Sequence, residues 1–155
     1  MSSKSASDWR EVFPILERHI GEWQGEYVHL DPEGREIDRH ASHLRMWEPD
    51  DGSCDIVQVN TYTWPDGRVE SIRFDGVLRG RSVHFDNERI AGHMHQTDDL
   101  TILLTWTYKD RLKAGNFLYE LIQLSKDGKQ KVRTWHWMED DRLIKRTVIR
   151  ETKVA

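Results

Sequence analysis

The chain has 155 residues, with 23 Lys and Arg against 27 Asp and Glu, and a net charge of -4 spread without a long run of either sign. This length suits one domain with one core, and the charge pattern excludes the basic footprint of a nucleic-acid or anionic-membrane binder. The lone Cys54 excludes an internal disulfide. No leader-type or span-length apolar run occurs, so a cytoplasmic protein without a membrane span is expected.

Residues 1–7 are small and polar and are expected to be disordered. A helical lead-in is predicted over residues 8–20, where Asp8 and Glu11 have capping-box spacing and Trp9, Val12, Phe13, Leu16 and Ile20 recur at helical intervals. Pro14 falls too late for a first turn and should break the segment into short pieces, and Gly21 should end it. Beyond this point the pattern is that of strands, runs rich in Val, Ile, Thr, Tyr and Trp punctuated by turn residues. The runs are Trp23 to Leu30, Ile37 to Trp47, Ile56 to Trp64, Val69 to Leu78, Ser82 to Asp86, Arg89 to Gln96, Leu100 to Tyr108, Phe117 to Leu124, Val132 to Met138 and Leu143 to Glu151. Pro65-Asp66-Gly67 and Lys126-Asp127-Gly128 are typical of the tight turns between them. About ten antiparallel strands joined in sequence order must hide their edges, and closure does so. The expected fold is therefore all-β, an antiparallel meander barrel with a short N-terminal helical segment, with a two-sheet sandwich as the rival.

A helical segment running into Gly21-Glu22-Trp23 on the first strand, followed by a meander and late arginines, resembles the calycin superfamily of lipocalins and fatty-acid-binding proteins. The strand count and the longer pattern Gly21-x-Trp23-x-Gly25-x-Tyr27 are more similar to the fatty-acid-binding and nitrobindin-like branch. The resemblance implies a single barrel domain over residues 1–155, with Trp23 closing one end and a cation from the last strand, Arg146 or Arg150, over its ring. No His aligns with the haem-holding position of nitrobindin-like proteins, and the C-terminal Arg-x-Tyr clamp of fatty-acid-binding proteins is absent, so no cofactor and no particular ligand carries over.

Alternation along the strands divides residues into two faces. One set mixes aromatics, amides and a guanidinium, as ligand cavities do: Ile56, Gln58, Asn60, Tyr62 and Trp64 on the third strand, Ile102, Leu104, Trp106 and Tyr108 on the seventh, Phe117, Tyr119, Leu121 and Gln123 on the eighth, and Arg133, Trp135 and Trp137 on the ninth. The expected ligand-binding residues are Tyr27, Gln58, Asn60, Tyr62, Trp106, Tyr119, Arg133, Trp135 and Arg146. Arg133 and Arg146 would meet an anionic or carbonyl end, because a guanidinium offers a fork for carboxylate. The sequence thus points to a protein that binds a small hydrophobic or aromatic molecule, with homodimerisation open. The alternative is a cofactor-independent lyase, isomerase or cyclase on the same barrel, with His43, Tyr119 and Arg133 as candidate catalytic residues. His40 and Ser42 share one face of the second strand and His43 and Arg45 the other, and either pair could reach a pocket. A third reading is a cupin-like metal site at His93, His95 and Asp99, helped by His136.

Overall fold

Pro14 divides the lead-in as its geometry requires: in the computed structural model, which describes residues 8–154, a turn of helix α1 (Asp8–Val12) is followed by a second, α2 (Ile15–His19). The expectations for residues 1–7 and for the Asp8 side chain fall outside the described residues. Gly21, at φ 133, then swings the chain from helix into strand, a conformation open to glycine and few others.

Ten strands follow: β1 (Gly21–Leu30), β2 (Glu36–Trp47), β3 (Ile56–Thr63), β4 (Val69–Arg79), β5 (Ser82–Asp86), β6 (Ile90–Asp98), β7 (Thr101–Tyr108), β8 (Phe117–Leu124), β9 (Gln130–Glu139) and β10 (Arg142–Lys153). Each pairs antiparallel with the next, and β10 returns to β1 with Tyr27 opposite Ile149, closing the barrel. Closure, not a sandwich, is how the meander disposes of its edges. One of the two-residue links joins β9 to β10, where Asp140 and Asp141 both take positive φ, 51 and 61, as a hairpin of matching twist demands. No helix among the described residues is long and apolar enough to cross a membrane.

The two helices cap one end. Trp9, Phe13 and Leu16 are buried beneath them against Trp23, whose indole N–H donates to the His19 carbonyl at 3.0 Å. The caps are tied down by polar contacts, with the Trp9 indole and Arg10 both donating to Glu48 and the Gln96 side chain accepting from the Ile15 amide. Trp23 does plug the barrel end, but the cations over its ring are lysines: Lys131 Nζ lies 4.2 Å from the ring centroid and Lys153 Nζ 5.5 Å. Arg146 and Arg150 cannot serve. On β10 the buried residues are Thr147, Ile149 and Glu151, so the even-numbered arginines project outward.

Candidate functional site

The barrel interior is filled from the helical end to about its middle. Phe74, Phe85, Leu104, Trp106, Leu118 and Ile122 pack there, leaving only a void of about 30 Å³. Across the middle lies a buried ionic layer. Arg133, on β9, donates through Nε to Glu151 at 2.7 Å, through Nη1 to Glu120 at 3.2 Å and through Nη2 to the Tyr27 hydroxyl at 2.7 Å. Glu120 also accepts from the Trp106 indole at 3.2 Å. Burial disfavours the Arg133 charge, but Glu151, Tyr27 and Glu120 outweigh it and hold the guanidinium firmly protonated. Burial likewise works against the Glu151 charge, and Arg133 and Lys131 overcome it. Lys131 completes the layer with its ammonium 3.4 Å from His19 Nδ1, and its pKa is lowered to about 8, chiefly by burial. Two cations face two carboxylates, so the layer is neutral and its strongest donor is already spent.

Beyond this layer, at the end opposite the helices, the barrel opens into a cavity of about 560 Å³, within the range of small-molecule sites. Its wall is largely aromatic. Tyr27 stacks on His40 at 5.0 Å and meets Tyr62 and Trp135 edge-on at 5.1 and 5.3 Å. Trp64 stacks on His40 at 4.5 Å, and Tyr108 lies parallel to Trp137 at 5.5 Å. Ile72, Phe74 and Ile90 fill the gaps. Two donors in this wall, the Tyr108 hydroxyl and the Trp135 indole N–H, are buried without a hydrogen-bond partner, a costly state unless something else satisfies them. At the rim, Arg89 pairs with Glu70 and Arg111 lies 3.7 Å from Asp110 and Glu139. Lys145 makes no direct ion pair among the described residues, although the charge of Asp38 acts on it. Its ammonium rests 4.0 Å over the Trp137 ring, and burial lowers its pKa.

A polar cluster occupies one side of the wall. His40 Nδ1 is 2.7 Å from Asp38 Oδ2, His29 Nε2 is 3.8 Å from the same oxygen, and the two rings are 5.4 Å apart. His29 Nδ1 contacts the Thr147 hydroxyl at 2.6 Å, which also accepts from the Trp137 indole at 2.8 Å. Burial, then the neighbouring charges of Lys145 and His40, pushes His29 down to about 4 and keeps it neutral near pH 7. Asp38 moves the other way: partial burial opposes its charge, but hydrogen bonds from His40 and Trp64 hold its carboxyl below the usual range.

Of the residues expected at a ligand, Tyr27, Tyr62 and Trp135 line this cavity. Gln58, Asn60, Trp106 and Arg133 point inward but lie deeper. The Gln58 amide donates to Asn60 and the Asn60 amide to the Tyr62 hydroxyl, while Arg133 is consumed by Glu120 and Glu151 and does not present its fork to a guest. Tyr119 and Arg146 face outward. Tyr119 is 39% exposed and stacks on His136, and Arg146 donates to the Pro32 carbonyl. On β8 the inward face is Leu118, Glu120, Ile122 and Leu124, the reverse of the expected one. Glu120 misled: a carboxylate reads as surface, but here it is buried as the partner of Arg133.

His43, also expected near Arg133, is on the outer face of β2 beside Glu22, so His43, Tyr119 and Arg133 do not converge. Nor do His93, His95 and Asp99 form a ligand set. Met94 is the buried residue of that stretch, so both imidazoles face outward, where His93 stacks on His84, and Asp99 is exposed in the turn. Sequence reasoning missed His29 and Lys145. Both follow from alternation once one inward residue is known: His29 is the i+2 neighbour of Tyr27 and Lys145 the i−2 neighbour of Thr147.

A family model described as "Domain of unknown function (DUF3598), N-terminal" matches residues 6–155. No curated protein sequence matches the chain. Among solved structures, a DUF3598 family protein of unknown function from Nostoc punctiforme superposes with a TM-score of 0.66 at 17% identity, covering 90% of this chain but 49% of that one. The chain thus spans about half the length of that relative. Rv2717c from M. tuberculosis gives a TM-score of 0.65 at 13% identity, covering 93% of this chain and 98% of that one. The S-type phycobiliprotein lyase CPES from Guillardia theta gives 0.68 at 13% identity, covering 93% of each. At these identities the likeness is one of fold.

Proposed function

This chain belongs to the DUF3598 N-terminal family, and from the chemistry of its cavity we propose that it binds a flat, conjugated small molecule carrying an acidic group. The observation that carries the reading is the aromatic mouth with two buried, unpartnered donors, Tyr108 and Trp135. A guest with an oxygen acceptor in its body would satisfy them, and its π-faces would stack on the walls. Lys145, unlike Arg133, makes no direct carboxylate ion pair among the described residues, Asp38 acting on it only from a distance, and supplies the attraction for an acid at the rim. The barrel is consistent with a calycin-like architecture, which supports carriage. Likeness of fold to a phycobiliprotein lyase makes an open-chain tetrapyrrole the first guest to try.

The test is a titration of the purified chain with biliverdin, an acidic retinoid and a flavin, read by tryptophan quenching. Saturable one-to-one binding with a dissociation constant near or below about 1 μM, weakened at least tenfold by Trp137→Ala or Lys145→Glu, supports the reading. Quenching that does not saturate, or that both variants retain, refutes it. A second reading, proton transfer on the bound molecule, is supported by the Asp38–His40 hydrogen bond, which orients an imidazole at the cavity wall. It requires chemical turnover of the bound guest, lost in His40→Ala.

A further inference from the structure

We propose that His29, Asp38 and His40 form a binding site for a divalent transition-metal cation in the wall of the cavity. One ligand atom from each lies within 4.8 Å of the others. Ligands around a tetrahedral zinc ion stand roughly 3.3 Å apart, so side-chain shifts of about 1 Å or less complete the set. Asp38, partly exposed, already lies 2.7 Å from His40 and 3.8 Å from His29 and bridges them, so the remaining closure is between the two imidazoles, whose rings are 5.4 Å apart.

The holding contacts are those a metal site uses. A ligating imidazole is oriented by the bond its other nitrogen makes. His29 Nδ1 meets the Thr147 hydroxyl at 2.6 Å, and the Trp137 indole fixes that hydroxyl from the other side at 2.8 Å. With Nδ1–H donating to Thr147, the Nε2 lone pair faces Asp38 and His40. His40 is clamped between the rings of Tyr27 and Trp64. Two imidazoles and one carboxylate suit Zn²⁺, Fe²⁺, Co²⁺ or Ni²⁺ over Ca²⁺ or Mg²⁺. Both histidines line the cavity, so the remaining coordination positions face it. Neither the donors nor the test requires an organic guest.

Two observations set the controls. The stacked pair His84 and His93, 5.3 Å apart on the outer face, is the competing place for an adventitious ion. Lys145 is a cation close enough to bear on His29 and opposes a second positive charge. Calorimetric titration of the metal-free full chain with Zn²⁺, and the visible spectrum with Co²⁺, decide the matter. One ion is expected to bind with a dissociation constant at or below about 10 μM, with at least a tenfold loss in Asp38→Asn and in His29→Gln, no change in a His84→Ala/His93→Ala double variant, and a several-fold gain in Lys145→Gln. Asp38→Asn keeps its shape at a partly exposed position, so it decides the question if His29→Gln fails to fold. Binding weaker than about 100 μM, or binding that survives Asp38→Asn and disappears with His84 and His93, overturns the proposal.

Discussion

Replacing Glu120 by Gln tests whether the ionic layer works as a balanced unit. Gln keeps the volume and leaves an acceptor for either the Trp106 indole or Arg133, but not both, and it removes one of the two negative charges that face Arg133 and Lys131. All four charged groups are almost wholly buried, so the layer is left at +1 with little water to screen it. Loss of one partner from a buried ion pair costs about 3–5 kcal/mol. Arg133 retains Glu151 and Tyr27, which puts the expected loss at the low end, about 3 kcal/mol. With a urea slope of roughly 2 kcal/mol/M for a chain of this size, the unfolding midpoint falls by about 1.5 M. The decisive measurement is the double variant Glu120→Gln/Lys131→Met. Lys131→Met alone leaves the layer at -1, whereas the pair leaves it neutral, so the double variant should lose less stability than the two single losses added together, by at least about 1 kcal/mol. Additivity within about 0.5 kcal/mol, or coupling of the opposite sign, refutes the reasoning.

Stability should also depend on pH through Lys131. Its pKa is about 8 in the folded chain against an ordinary 10.5, so between these values the unfolded chain binds the extra proton and stability rises with pH. The group contributes a rise of up to about 3 kcal/mol across that window, and unfolding curves at pH 7.5 and 10 should show it in the native sequence and not in Lys131→Met. Trp23→Ala should lower stability by about 3–5 kcal/mol in urea unfolding, because the ring is fully buried under both helices; an unchanged midpoint would remove Trp23 from the plug. Gly25→Ala should fail to give a folded barrel by circular dichroism, since a Cβ there would lie 1.9 Å from the Arg150 carbonyl oxygen on β10. In the cavity, Tyr108→Phe should weaken a bound guest by about tenfold or less in fluorescence titration, with the melting temperature unchanged or raised as a buried orphan hydroxyl is removed.

Strand alternation and turn chemistry were legible because both are local. Pro14 broke the lead-in, Lys126-Asp127-Gly128 turned the chain between β8 and β9, and the inward faces of β3, β7 and β9 followed from their aromatic residues. β8 inverted because the polarity of Glu120 was read without its partner. Arg133 is 13 residues away in the chain and meets it only across the β8–β9 pairing. Arg133 misled for the same reason, since nothing in its neighbours along the chain says that Glu120, Glu151 and Tyr27 saturate it.

By itself, then, the amino-acid sequence determined the number and order of strands, the need for closure and the broken helical lead-in before Trp23, because backbone preference and period-two patterning act over a few residues. Only the tertiary structure decided where the hollow lies and which groups face it. Charge neutralisation and packing depend on distances between residues far apart in the chain: Tyr27 against Arg133 closes the floor, and His29, Asp38 and Thr147 are drawn from three strands to one point on the wall.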